Sequence, residues 1–116
     1  MIKVLAVDDD PDVLLVMKMI LMDADVDFQG ACSLAEAVRK VDGANVVFAD
    51  LNCGQTNGID VIRMSRETLG PSAKIYLMSA DETDEAIKAA RQAGADDFLP
   101  KPFPPGALLR CVGQSS

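Results

Sequence analysis

Four stretches of the chain carry an apolar run up to a group that could do chemistry. Val4-Leu5-Ala6-Val7 leads into Asp8-Asp9-Asp10, and Val46-Val47-Phe48-Ala49 stops on Asp50. Ile75-Tyr76-Leu77-Met78 is followed by Ser79 and Ala80, and Phe98-Leu99-Pro100 by Lys101-Pro102. Short apolar runs bounded by turn formers read as buried strands. In an open α/β sheet, ligands sit outside the carboxyl ends of the strands, so these polar ends would share one edge. Alone, Asp50 could equally cap a turn. Together the groups suit one chemistry. Two carboxylates at about 4 Å and an effective dielectric near 20 repel by roughly 4 kcal/mol, so Asp8, Asp9 and Asp50 call for a hard cation. Magnesium, with oxygen ligands and retained waters, fits that donor set. Lys101 suits a phosphoryl oxygen as a compact positive charge, and Ser79 offers a hydroxyl to another. Carboxylate, divalent metal, lysine and hydroxyl make a phosphoryl-transfer site, where catalysis is positioning and charge neutralisation.

The intervening residues predict the elements that would position these groups. Residues 2–7 read as a first strand covered on both faces. Asp10 reads as an N-cap rather than a ligand, with Pro11 at the first helical position. The helix is expected to run to about Met22. It would bury Val13, Val16, Met17, Ile20 and Leu21 and leave Leu14, Leu15, Met19 and Met22 off the stripe. Residues 26–31 form a weaker strand. Ser33-Leu34-Ala35-Glu36 is a capping box opening a helix to about Val41, which Gly43 ends. A third strand over 45–50 leads into a polar loop with Gly54, Gln55, Thr56, Asn57 and Gly58. A helix over about 58–69, with Ile59, Ile62, Met64 and Leu69, is stopped by Gly70-Pro71. A strand over 74–78 ends at Ser79. Asp81, Glu82, Asp84 and Glu85 crowd the first turn of the next helix, where the macrodipole favours them. Gly94 closes that helix. Residues 97–100 are a short last strand, and residues 104–116 hold one short helix at most. Asp96-Asp97 reads as solvated surface and Phe98 as core. Strands and helices alternating five times predict an α/β, doubly wound, parallel sheet in a single domain over residues 1–116.

Composition narrows the functions. With 116 residues, 49% hydrophobic and 25% charged, the chain is a globular domain. No apolar run is long enough to span a bilayer, and the amino terminus lacks the features of a signal peptide, so no membrane partner is expected. A net charge of −7 disfavours direct contact with nucleic acid. The absence of histidine removes the usual triads and most zinc sites. Cys32, Cys53 and Cys111, without CxxC spacing, read as reduced thiols in a cytoplasmic protein. Cys53 beside the acids would be an inert thiol.

These motifs, in this order and spacing, resemble the receiver domain of two-component response regulators over nearly the whole chain. VLAVDDDP is similar to that family's first strand and acidic pair, and DLNCGQTNG to its phosphoacceptor loop. LMSA and FLPKPF are similar to its Ser/Thr-Ala and Lys-Pro-Phe segments. The resemblance implies a flavodoxin-like sheet of five strands ordered 2-1-3-4-5 with helices on both faces. It implies that Asp50 accepts a phosphoryl group from a phosphohistidine on a histidine kinase or phosphotransfer protein. Asp8, Asp9, Asp50 and the Asn52 carbonyl would hold Mg2+, Lys101 would pair with Asp50 and then the phosphate, and Ser79 and Ala80 would bind the phosphoryl group. Phe98 would turn inward on phosphorylation, and the Lys101-Pro102 bond would be cis. The chain would catalyse only its own phosphorylation and dephosphorylation, with Asn52 and Asp81 flanking the attacking water. It would signal to an output domain or downstream protein, as a monomer or a phosphorylation-linked homodimer. The histidine-bearing helices of the donor would dock on the first helix at Leu14 and Leu15, with Met19 and Met22 at the rim or in a dimer contact.

The chain departs from the family pattern at three places. Cys53 and Gly54 stand where methionine or leucine and proline are frequent, which predicts a looser loop. Phe98 replaces a frequent tyrosine. The last helix is short, opening at Pro104-Pro105-Gly106, as in a trimmed piece of a longer protein. Two other readings compete. One is a magnesium-dependent phosphatase of the haloacid dehalogenase type with Asp8 as nucleophile, although the chain is short for a substrate cap. The other is a phosphate-independent binding module, against which stand the acidic pair, Ser79 and Lys101.

Overall fold

A computed structural model describes residues 1–53, 56–80 and 83–113, with the side chains of Cys53 and Thr56 left out of the description. The elements in chain order are β1 (Ile2–Val7), α1 (Pro11–Ile20), β2 (Val26–Ala31), α2 (Leu34–Lys40) and β3 (Val46–Asp50). A short pair, β4 (Asn52–Cys53) and β5 (Thr56–Asn57), precedes α3 (Gly58–Leu69), β6 (Lys74–Ser79), α4 (Asp84–Ala93), β7 (Asp97–Pro100) and α5 (Pro105–Cys111). The main sheet has five parallel strands in the order β2-β1-β3-β6-β7, which is 2-1-3-4-5 counted along that sheet. It is the doubly wound arrangement the sequence predicts, with the order reversing between β1 and β3.

The central strands are buried on both faces because their side chains are apolar at nearly every position between their ends. All five residues of β3 are buried, as are Val4 to Val7. Leu5, Val7, Val47, Ala49, Ile75 and Leu77 face one core, shared with α2, α3 and α4. Val4, Ala6, Val46, Phe48 and Met78 face the other, against α1 and α5. Phe98 packs partly buried against the first of these.

Local signals set the helix starts. The Asp10 side chain accepts a hydrogen bond from the amide of Asp12, as an N-cap should, and Pro11 is the first helical residue. Ser33 accepts from the Glu36 amide, while the Glu36 carboxylate accepts from Cys32 rather than from the cap itself. That backbone bond, ahead of the pull of Lys40, holds the Glu36 carboxyl below its usual range. Gly94 ends α4 at φ 122°, a conformation that glycine allows.

The structure corrects four expectations. First, α1 stops at Ile20, and it is centred differently. Met17 and Leu21 are buried, and Leu14 packs on the core over Gly30, where an added Cβ would come within 3.1 Å of Leu14 Cδ1. Val16 is 50% exposed. The helix is apolar almost all round, so periodicity alone could not choose its inner face. Second, Leu14, expected off the buried stripe, packs partly buried against the core. Third, the stretch after Asp50 is not all loop. Asn52 pairs with Asn57 and Cys53 with Thr56 in an antiparallel hairpin; Gly54 and Gln55, and with them the looser loop expected there, lie outside the described residues. Fourth, Asp96 lies on the surface as expected but also serves as an anchor. Its carboxylate accepts from the Ile75 amide and from Arg66, both at 2.8 Å. Arg66 also donates to the carbonyls of Gly70, Ala73 and Gly94, tying α3 to the edge of the sheet remote from the acids.

Candidate phosphoryl-transfer site

The topology delivers the polar groups to one edge. Asp8 follows β1, and its amide donates to the Ala31 carbonyl at the end of β2. Asp50 is the last residue of β3, and the Leu51 amide continues the ladder to the Met78 carbonyl. Ser79 ends β6, opposite Pro100 of β7. The Lys101 amide donates to the Ser79 carbonyl at 2.9 Å, so lysine and serine are joined through the backbone. The Lys101-Pro102 bond is cis, as expected from the sequence resemblance.

The side chains then converge. Asp8 is 1% and Asp50 8% exposed, and Ser79 is buried, while Asp9 lies at the exposed mouth. Lys101 reaches both buried acids, 2.6 Å from Asp8 Oδ2 and 3.2 Å from Asp50 Oδ1. It was expected to pair with Asp50; it bridges the two and lies nearer Asp8. The other oxygen of Asp8 accepts from the Asp10 amide at 3.0 Å. Asn52 is exposed in β4, two residues beyond Asp50, and Ala80 is exposed directly after Ser79. Asp81 lies outside the described residues.

Electrostatics follow from burial and crowding. Burial first, then the charge of Asp8, push the Asp50 carboxyl above the ordinary carboxylate value, with Lys101 working against both. For Lys101, burial pulls the ammonium down, but the Asp8 hydrogen bond and the charges of Asp50 and Asp8 outweigh it and hold the pKa above that of an ordinary lysine. Asp8, Asp9 and Asp50 each offer an oxygen, all within 4.8 Å of one another. One ammonium does not balance three carboxylates. An all-oxygen set of this size with surplus negative charge fits a hard divalent cation and not a soft metal.

Comparisons with known proteins agree with this geometry. The chain is 32% identical to the chemotaxis protein CheY of Thermotoga maritima, over 98% of this chain and 97% of that protein. It is 31% identical to the transcriptional regulatory protein TrcR of Mycobacterium tuberculosis over 88% of this chain, but that match spans only 40% of TrcR. Among solved structures, chemotaxis protein CheY4 of Vibrio cholerae superposes with a TM-score of 0.90 at 27% identity, covering 97% of both chains. The family model of the response regulator receiver domain matches residues 4–112, a span that takes in every strand end described above, and the chain belongs to that family.

Proposed function

We propose that this chain is the phosphorylation-controlled switch of a two-component system, with Asp50 as phosphoacceptor. The observation that carries the reading is the convergence of Asp50, Asp8, Asp9 and Lys101 at the carboxyl edge of the sheet. The donor is a phosphohistidine on a sensor kinase or phosphotransfer protein. An Asp50 oxygen attacks phosphorus, the bond to the imidazole nitrogen breaks, and the electron pair stays on the imidazole. Lys101 stands where it can follow the charge from the carboxylate to the phosphoryl oxygens, and Ser79 offers its hydroxyl to another. Ala80 lines the same opening. Asp8, Asp9, Asp50 and the Asn52 carbonyl would hold magnesium, which when bound neutralises the phosphoryl oxygens. Rearrangement of Ser79 and of half-buried Phe98 would carry the signal to an output domain or downstream protein. The chain turns over no separate metabolite. A cytoplasmic location suits a kinase-fed switch; among the described residues no helix is long and apolar enough to cross a membrane.

The phosphatase reading is weaker on geometry. Asp8 would be its nucleophile, yet Asp8 is nearly fully buried and its oxygens are engaged by Lys101 and the Asp10 amide. The test is incubation with acetyl phosphate and magnesium, read by intact mass. One added phosphate, mapped to Asp50, is expected; phosphate on Asp8 would transfer the chemistry to the other reading.

Magnesium should raise the melting temperature by relieving repulsion among the three acids. Asp9→Ala removes the exposed ligand with little loss of packing and should abolish most of that response. A shift of the same size in the variant would place the metal elsewhere.

The donor surface can be probed on α1. Leu15 and Met19 are 55% and 60% exposed and lie opposite Met17 on the helix, and Met22, 69% exposed, follows just beyond its end. A contiguous apolar ridge beside a phosphorylation site suits docking of the donor's helices, and methionine adapts to varied partners. In Leu15→Glu, labelling by acetyl phosphate should persist, while transfer from the cognate kinase falls at least tenfold, about 1.4 kcal/mol. Equal loss of both would indicate misfolding, and retention of both would remove α1 from the docking surface.

A further inference from the structure

Lys101 reaches the site from the end of β7, and β7 is weakly held along its length. It has four residues and lies at the edge of the sheet, beside β6. Pro100, opposite Ser79, has no amide to donate, and the Lys101 amide meets the Ser79 carbonyl in its place. The other end is fixed more firmly. The Asp96 amide donates to the Ile75 carbonyl at 2.7 Å, and the Asp96 carboxylate accepts from the Ile75 amide at 2.8 Å. The same carboxylate oxygen, Oδ2, accepts from Arg66. The Arg66 guanidinium is held in turn by the carbonyls of Gly70, Ala73 and Gly94. A Cβ on Gly94 would lie 2.9 Å from Arg66 Cβ and Cγ, so glycine there admits the arginine stem.

We propose that Asp96, braced by Arg66, sets the register of β7 and thereby places the Lys101 ammonium between Asp8 and Asp50. Asp96 is then a positioning residue for phosphoryl transfer, acting through Lys101 from the opposite end of the strand. The proposal rests on the reading of Asp50 as phosphoacceptor and Lys101 as its cation. Bonds from one residue to both backbone groups of Ile75 admit one pairing, and a slip by one residue would turn Lys101 to the other face of the sheet. Lys101 follows Asp96 at the far end of roughly 16 Å of extended chain. Smaller displacements matter too. Lys101 must meet two carboxylates at once, at 2.6 and 3.2 Å. Misplacing a catalytic group by about 1 Å can cost on the order of a hundredfold.

The test measures the rate of labelling by acetyl phosphate with magnesium, read by intact mass well below every melting temperature. Asp96→Ala should slow labelling about tenfold or more. Asp96→Asn keeps an acceptor for the Ile75 amide and should restore most of the rate. If Asp96→Ala does not fold, Arg66→Lys takes its place. A single ammonium cannot hold three carbonyls and a carboxylate as the planar fork does, so a loss of about threefold or more is expected. A double-mutant cycle with Lys101→Ala separates positioning from stability. In that background Asp96→Ala should change the rate by less than about twofold, because the group it places is gone. It should still lower the melting temperature as it does in the native chain. An equal fold loss in both backgrounds overturns the proposal. So does a rate in Asp96→Asn as low as in Asp96→Ala. Undiminished labelling of folded Asp96→Ala, with Lys101→Ala slow, overturns it and leaves the site assignment standing. Lys101→Ala labelled as fast as the native chain overturns the role of Lys101 and this proposal together.

Discussion

Gly58→Ala is expected to destabilise the protein by about 3 kcal/mol or more, since overpacking costs typically 1–3 kcal/mol even where side chains can yield. Gly58 is the first residue of α3, and its amide donates to the Leu51 carbonyl. A Cβ built on it would lie 2.0 Å from the Asp50 carbonyl oxygen, 2.7 Å from the Asp50 carbonyl carbon and 2.9 Å from Leu51 Cα. All three are backbone atoms, so no rotamer change relieves the clash. Either the start of α3 or the end of β3 must shift, and β3 is fully buried. The same shift would move the Asp50 carboxylate away from Lys101, so labelling by acetyl phosphate should fall alongside stability. Gly43→Ala is the comparison. Gly43 has φ 78°, and the place its methyl group would take has no heavy atom within 4 Å, so alanine there meets only backbone strain, roughly 1–2 kcal/mol. Urea unfolding of the two variants measures the difference. A Gly58→Ala variant no less stable than Gly43→Ala would mean that α3 can retreat from the phosphoacceptor strand at little cost.

Much of this arrangement was legible in the sequence because independent signals agreed. For β3, the apolar run, the terminal acid and the turn residues beyond it all specify a buried strand ending at a site. At α4, the N-terminal acids and the closing glycine bracket the helix, and Asp84–Ala93 is what forms. The cluster of Asp8, Asp9 and Asp50 with Lys101 follows once the strands are parallel, because strand ends then share an edge. What was not legible is equally physical. In α1, apolar residues occupy nearly every turn, so the pattern did not separate the inner Leu14 from the outer Val16; contact with Gly30 decides it. Glycine at position 30 of β2 was the available signal, a place where a neighbouring side chain can approach closely. Lys101 leaning towards Asp8 depends on two buried carboxylates competing for one ammonium, a balance set by distances that spacing in sequence does not carry. Asp96 looked like one of two surface acids. Its role depends on Arg66, thirty positions away, which no local pattern connects to it.

Asp50→Asn should abolish phosphorylation while leaving the fold intact or firmer. The amide keeps the shape of the side chain but has no anionic oxygen to attack phosphorus, so labelling by acetyl phosphate should fall by roughly three orders of magnitude or more, as for loss of other catalytic nucleophiles. Stability should move the other way or not at all. In the native protein, burial and the Asp8 charge raise the Asp50 pKa, which means that its ionised form is held at a cost at neutral pH. A neutral isostere removes that cost. Lys101 is not stranded by the change, because Asp8 still accepts from it at 2.6 Å. The thermal response to magnesium should shrink, since one of three carboxylates is gone. Three readings on one variant therefore separate chemistry from folding: phosphate incorporation, melting temperature without metal, and the magnesium shift. Lost labelling with a clearly lowered melting temperature would mean that the Asp50–Lys101 pair stabilises the fold more than its burial penalises it. Undiminished labelling, with the phosphate mapped to Asp8, would remove Asp50 from the reaction and make the acid after β1 the nucleophile.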